Sequence, residues 1–165
     1  MKVKKLLMAI GVAAILSMST GSFAGAADLV VVATAATFAN AAEWTAFLKS
    51  KSIPVKNVAP ADLAGFKDAP YVVIMGGMDE AEGIKPLVEK AVTKKDFEWI
   101  NKAGNSRMYV KSNVWSGGQE VIIFAGADGA GAEMARKRNR AEWWEFIREW
   151  FRIDEGESTG GKLSY

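Results

Sequence analysis

The chain has 165 residues, with 21 Lys and Arg against 19 Asp and Glu, a formal net charge of +2, and neither His nor Cys. Those two absences remove the usual ligands of zinc, copper, haem and iron–sulfur centres, the base of a Ser-His-Asp triad, the thiol nucleophile and every disulfide. Carboxylate chemistry, Ser or Thr activated by Lys, hard-cation binding through oxygen ligands, or no chemistry at all remain; no cofactor is called for and no residue is assigned as catalytic.

Lys2, Lys4 and Lys5 precede an apolar run from Leu6 to Leu16 and a small-residue stretch from Gly21 to Ala27. A basic head, a short apolar segment and the A-x-A site Ala24-Gly25-Ala26 predict a signal peptide over residues 1–26. The protein is therefore expected to be exported: periplasmic, at the cell surface or extracellular. The run is short for a bilayer span, no basic stop-transfer flank follows, and no Cys is present to carry a lipid. The 21 basic residues less the three leader lysines leave 18 against 19 acids, a net charge of −1 for the mature chain. Such a balance gives no electrostatic ground for nucleic-acid binding, and no second apolar run is long enough to cross a membrane.

Asp28 to Thr34 is a continuous β-branched run, as in a strand buried on both faces. Asn40 to Ser50 predicts a helix burying Ala42, Phe47 and Leu48 around Trp44. Ile53 to Val58 predicts an edge strand because of Pro54, and Pro60 to Lys67 a connection or helical turn. Tyr71 to Met75 is an apolar strand ending at Gly76 and Gly77. Glu80 to Val92 predicts a helix, with Pro86 tolerated near its start. Thr93-Lys-Lys-Asp96 resembles a capping box opening a helix through Phe97, Trp99 and Ile100, closed by Gly104. Arg107 to Trp115 is extended, Ser116-Gly117-Gly118 a turn, and Glu120 to Ala125 a strand ending at Gly126. One long helix is expected from Gly131 to Phe151. Alternating apolar strands and helices predict an α/β fold over residues 27–153: a three-layer sandwich with a mainly parallel four- to five-stranded sheet, flavodoxin/Rossmann-like. Val30, Val32, Val72, Ile74, Ile122 and Phe124 are its expected central core. The Gly-, Ser- and Thr-rich tail over 154–165 is expected to be flexible.

Ligands of open α/β sheets bind beyond the carboxyl ends of the strands. Three loops leave such ends here, and Thr34, Thr37, Asn40, Gly76, Gly77, Asp79, Glu80, Gly126 and Asp128 are the candidate ligand-binding residues. Small-residue loops entering helices favour an anion. The simpler account is that tight turns need glycine while Asp79 and Asp128 cap helices. The G-x-G-x-x-G and Walker spacings are absent, so a dinucleotide or NTP site is not supported. The three carboxylates offer two further readings, a Ca²⁺ or Mg²⁺ site and an acid/base pair of the glycosidase kind.

Arg136-Lys-Arg-Asn-Arg140 reads as a solvated helix face with charge pairing expected at Arg138–Glu142, Glu145–Arg148 and Glu149–Arg152. Trp143, Trp144 and Trp150 lie among so many aromatics on one helix that part of the surface is a candidate partner interface.

Tyr71-Val-Val-Ile-Met-Gly-Gly77 and the run from Val114 through Trp115, Gly117-Gly118 and Ala125-Gly-Ala-Asp128 to Ala132 resemble α/β modules of prokaryotic surface-layer and cell-wall-associated proteins. Those modules have a strand ending in Gly-Gly, then a Trp, a turn and a strand ending Ala-Gly-x-Asp before an Ala-rich helix. The resemblance spans Asp28 to Ala135. Met78-Asp79 departs from it, standing where such modules often carry Pro and a small polar residue. It implies a non-enzymatic module at the cell envelope with a structural or binding role, partnered by an envelope polymer or surface protein. The alternatives are an extracytoplasmic small-ligand or divalent-cation-binding protein and, behind it, a carboxylate-based hydrolase.

Overall fold

The structure, a computed structural model, describes residues 27–154; the expected signal peptide at 1–26 and the tail from residue 155 lie outside the described residues. Five strands, β1 (Leu29–Val32), β2 (Val55–Val58), β3 (Tyr71–Gly77), β4 (Ser106–Ser112) and β5 (Glu120–Gly126), form one sheet in the order β2-β1-β3-β5-β4. The first four in that order run parallel, and β4 pairs antiparallel with β5 at the edge. Pro54 stands just outside β2, which is the opposite edge strand, where its missing N–H removes no ladder bond.

Successive strand residues point to opposite faces, so the apolar strands feed two buried clusters. Leu29, Val31, Ile122 and Phe124 pack with Trp44, Leu48, Ala132, Trp143 and Ile147. Val30, Val32, Val72, Ile74 and Ile123 pack with Leu63, Ile84, Val88 and Ile100. The helices that supply these partners are α1 (Ala35–Asn40), α2 (Ala42–Ser50), α3 (Lys85–Ala91), α4 (Lys94–Ile100), α5 (Gly129–Arg138) and α6 (Arg140–Phe151), with a 3₁₀ segment over Pro60–Phe66. Val30, the most exposed of the six expected core residues, shows only 3% of its surface. Among the described residues no helix is long and apolar enough to cross a membrane.

Several boundaries differ from expectation, each for a local reason. Thr34 leaves the strand to cap α1, its hydroxyl accepting from Thr37 N at 3.2 Å. The helix expected over Asn40 to Ser50 is present as α2, while α1 occupies residues expected to form a loop; the two meet at Ala41, whose φ of −93° and ψ of 19° break the ladder. The helix expected from Glu80 begins only at Lys85, with Pro86 in its first turn where no backbone donor is needed. The last helix is two: Asn139 turns its amide back to the Ala135 carbonyl at 2.7 Å and adopts φ −101°, ending α5 and starting α6. Thr93 caps α4 as expected, accepting from Asp96 N and donating to Asp96 Oδ2.

The basic run is not wholly solvated. Arg136 is 8% exposed and held by both carboxylate oxygens of Glu133, which also takes Lys137 at 3.3 Å. On α6, Glu145 pairs with Arg148 at 2.5 Å, whereas Arg138–Glu142 and Glu149–Arg152 are not among the ion pairs of the described residues.

Candidate functional site

The carboxyl ends of β1, β3 and β5 meet at one edge of the sheet. There Glu80, in the turn after β3, reaches across to the loop after β1. Its Oε1 accepts from the Thr37 hydroxyl at 2.7 Å and from Gly77 N–H at 3.0 Å. Its other oxygen, Oε2, is buried and accepts nothing among the described residues. One carboxylate thus ties a helix of the β1 loop to the end of β3.

Glycine is what lets this edge close. A Cβ on Gly77 would lie 2.6 Å from both the Asp128 carbonyl carbon and Gly129 N. On Gly126 it would lie 2.5 Å from Ala132 N. Both collisions are with backbone, so no rotamer relieves them. Met78 N–H donates to the Gly126 carbonyl at 2.9 Å, joining the β3 and β5 loops where a larger residue would part them. Gly76 leaves room for Glu80 itself, since a Cβ there would stand 3.2 Å from Oε2.

The three carboxylates do three different things. Asp128 caps α5, accepting from Gly131 N at 2.7 Å, as the capping account expects. Asp79 does not cap a helix; it is exposed in the turn, and the N-cap of α3 is Ile84, which has no side-chain cap. Glu80 is the bridge already described. Among the described residues no group of three or more acidic side chains is placed to hold a metal ion. Ca²⁺ or Mg²⁺ is therefore expected to leave the melting temperature unchanged, while Asp128→Ala costs about 1 kcal/mol through the lost cap. A cation-dependent rise, abolished by Asp79→Asn or Asp128→Asn, would instead place an ion among the loops.

Thr37 and Asn40 line a small cavity of about 260 Å³ with Met75, Gly129, Ala130 and Glu133. Glu80 lines a different and larger recess of about 770 Å³ with Ala59, Pro60, Gly83, Lys85 and Leu87. Of the expected ligand-binding residues, Thr37 and Asn40 line one hollow and Glu80 the other, with Glu80 bonded to Thr37 between them; Thr34, Gly76, Gly77, Asp79, Gly126 and Asp128 line neither.

The three tryptophans of α6 are not equivalent. Trp143 is 1% exposed, makes edge contacts with Trp44 and Phe47, and donates its indole N–H to the Arg136 carbonyl at 2.9 Å; it presents no surface to a partner. Trp144 is half-buried against Phe47, and Trp150 stacks on Tyr71 at 5.2 Å between ring centroids. Gln119 was not singled out from the sequence, yet it is fully buried and donates to the carbonyls of Lys67 and Ala69, fixing the entry to β5. No protein-family model, no curated protein and no solved structure matches this chain.

Proposed function

We propose that this is an exported, three-layer α/β domain of the doubly wound, flavodoxin/Rossmann-like kind that binds or scaffolds at the cell envelope and does not act as a catalyst. The observation that carries this reading is the engagement of Glu80. In a sheet ordered β2-β1-β3-β5-β4 the connections diverge between β1 and β3, the crevice where ligands of such folds bind. Here that crevice holds the protein's own carboxylate, bonded to Thr37 and Gly77. A general acid or nucleophile needs an oxygen free to meet a substrate; here Oε1 is committed to Thr37 and Gly77, and Oε2 is buried. The antiparallel β4 at the edge is the one departure from a wholly parallel doubly wound sheet.

The leader-like residues 1–26 support export, and the resemblance of Tyr71–Gly77 and Val114–Ala132 to surface-layer modules supports the envelope as the place of action. Full chain expressed with its leader in an exporting host is expected to yield a product whose intact mass puts the N-terminus between Gly25 and Asp28. That product is expected to sediment with isolated cell envelopes. Uncleaved Met1 in the membrane fraction, or a processed chain left wholly in the supernatant, would overturn the reading.

A second reading, an extracytoplasmic small-ligand-binding protein, is favoured by one observation. The recess beside Glu80 is of ligand size at about 770 Å³.

A further inference from the structure

A second recess, remote in chemistry from the strand edge, lies where α2 faces the bend between α5 and α6. It holds about 410 Å³ and has an aromatic floor of Trp44, Phe47 and Trp143. Arg136, Lys137 and Arg140 supply its cations, and Glu43 is the one acid lining it. We propose that this recess binds a small organic carboxylate with an apolar or aromatic body.

Two observations carry the assignment. Trp44 is 3% exposed, and its indole N–H is buried without an acceptor among the described residues. A buried indole N–H ordinarily finds a partner, and the neighbouring Trp143 does so through the Arg136 carbonyl. Of the two tryptophans that line the recess, Trp143 thus has a satisfied indole donor and Trp44 a bare one. The second observation is the placement of Arg140. Arg136, Lys137 and Arg138 sit in the last turn of α5, where cations suit the negative end of the helix dipole. Arg140 is the first residue of α6, at the positive end, where a cation is disfavoured. It lies over the Phe47 ring, 5.6 Å from the centroid.

The other cations are already engaged. Burial alone would raise the carboxyl pKa of Glu133, but the hydrogen bonds and charges of Arg136 and Lys137 outweigh it and hold the group below its usual range. Glu133 thus stays ionised and keeps Arg136 in place, with the guanidinium 5.6 Å from the Trp44 ring. Arg140 stands outside that ion-paired set. A carboxylate able to accept from Trp44 and pair with Arg140 satisfies both groups, and the rings around them accommodate its apolar portion. A recess of this volume is within the range of small-ligand sites.

The test is a titration of the full chain, labelled with ¹⁵N, using 4-phenylbutyrate as the probe and 4-phenylbutanamide as its uncharged counterpart. Trp44→Phe identifies the Trp44 indole resonance by its disappearance. The probe is expected to shift that resonance saturably, with the amide at least about tenfold weaker, and Arg140→Gln is expected to weaken the carboxylate by about tenfold. Arg140 is exposed, so its variant folds as the parent does. An unmoved Trp44 resonance, equal affinity for the amide, or undiminished affinity in Arg140→Gln would each overturn the proposal.

Discussion

Trp143→Ala is expected to destabilise the domain by about 3–5 kcal/mol, the range for removing a buried large aromatic. The residue shows 1% of its surface, and three aromatic rings contact it edge-on: Trp44 at 5.9 Å, Phe47 at 6.3 Å and Trp144 at 6.3 Å. Truncation empties the junction of α2 with α6 and leaves the Arg136 carbonyl without its donor. Trp143→Phe separates the two effects, because most of the packing survives and the hydrogen bond does not. Its smaller cost, at least about 1 kcal/mol, combines the lost bond with a modest loss of ring volume. Urea titrations followed by far-UV circular dichroism measure both. A midpoint unchanged by Trp143→Ala would mean that α6 is not docked through this residue.

Ile74→Ala and Ile122→Ala are each expected to cost about 2–5 kcal/mol through lost transfer energy and the cavity left behind. Both side chains are fully buried, yet they belong to different clusters, Ile74 on one face of the sheet and Ile122 on the other. Equal sensitivity at the two sites requires a sheet covered on both faces. A sheet with one wet face would give one large effect and one near zero, and denaturant midpoints of the two variants tell these cases apart.

The strands were legible because burial on both faces leaves a plain mark: Val30–Val32, Val72–Ile74 and Val121–Phe124 are unbroken β-branched or aromatic runs. The helix interruptions were not. Ala41 is a favourable helix residue, and nothing in its type marks the turn of φ −93° and ψ 19° that separates α1 from α2. Asn139 breaks a periodic pattern through one side-chain bond to Ala135 that competes with the ladder. Burial of Arg136 was hidden for a related reason, since a run of cations carries no sign of which member lies against Trp44. At the candidate site the residues were found but their relation was not. Thr37 and Glu80 stand 43 positions apart, and nothing local to either announces the bond between them. Asp128 was readable as a cap because its partner is three residues away. Contacts within one turn of chain are written in spacing; contacts between loops depend on how the sheet brings them together.

The placement of Glu80 also sets the terms of competition at the β1–β3 crevice. Gly77 N–H is three residues from Glu80 along the chain, so the carboxylate that occupies it is tethered by a short leash. A tethered group acts at an effective concentration in the millimolar range or above. A dissolved anion reaches the same donors only by outcompeting a rival that never diffuses away. A weakly held phosphate or carboxylate is therefore excluded from the place where sheets of this order ordinarily receive one.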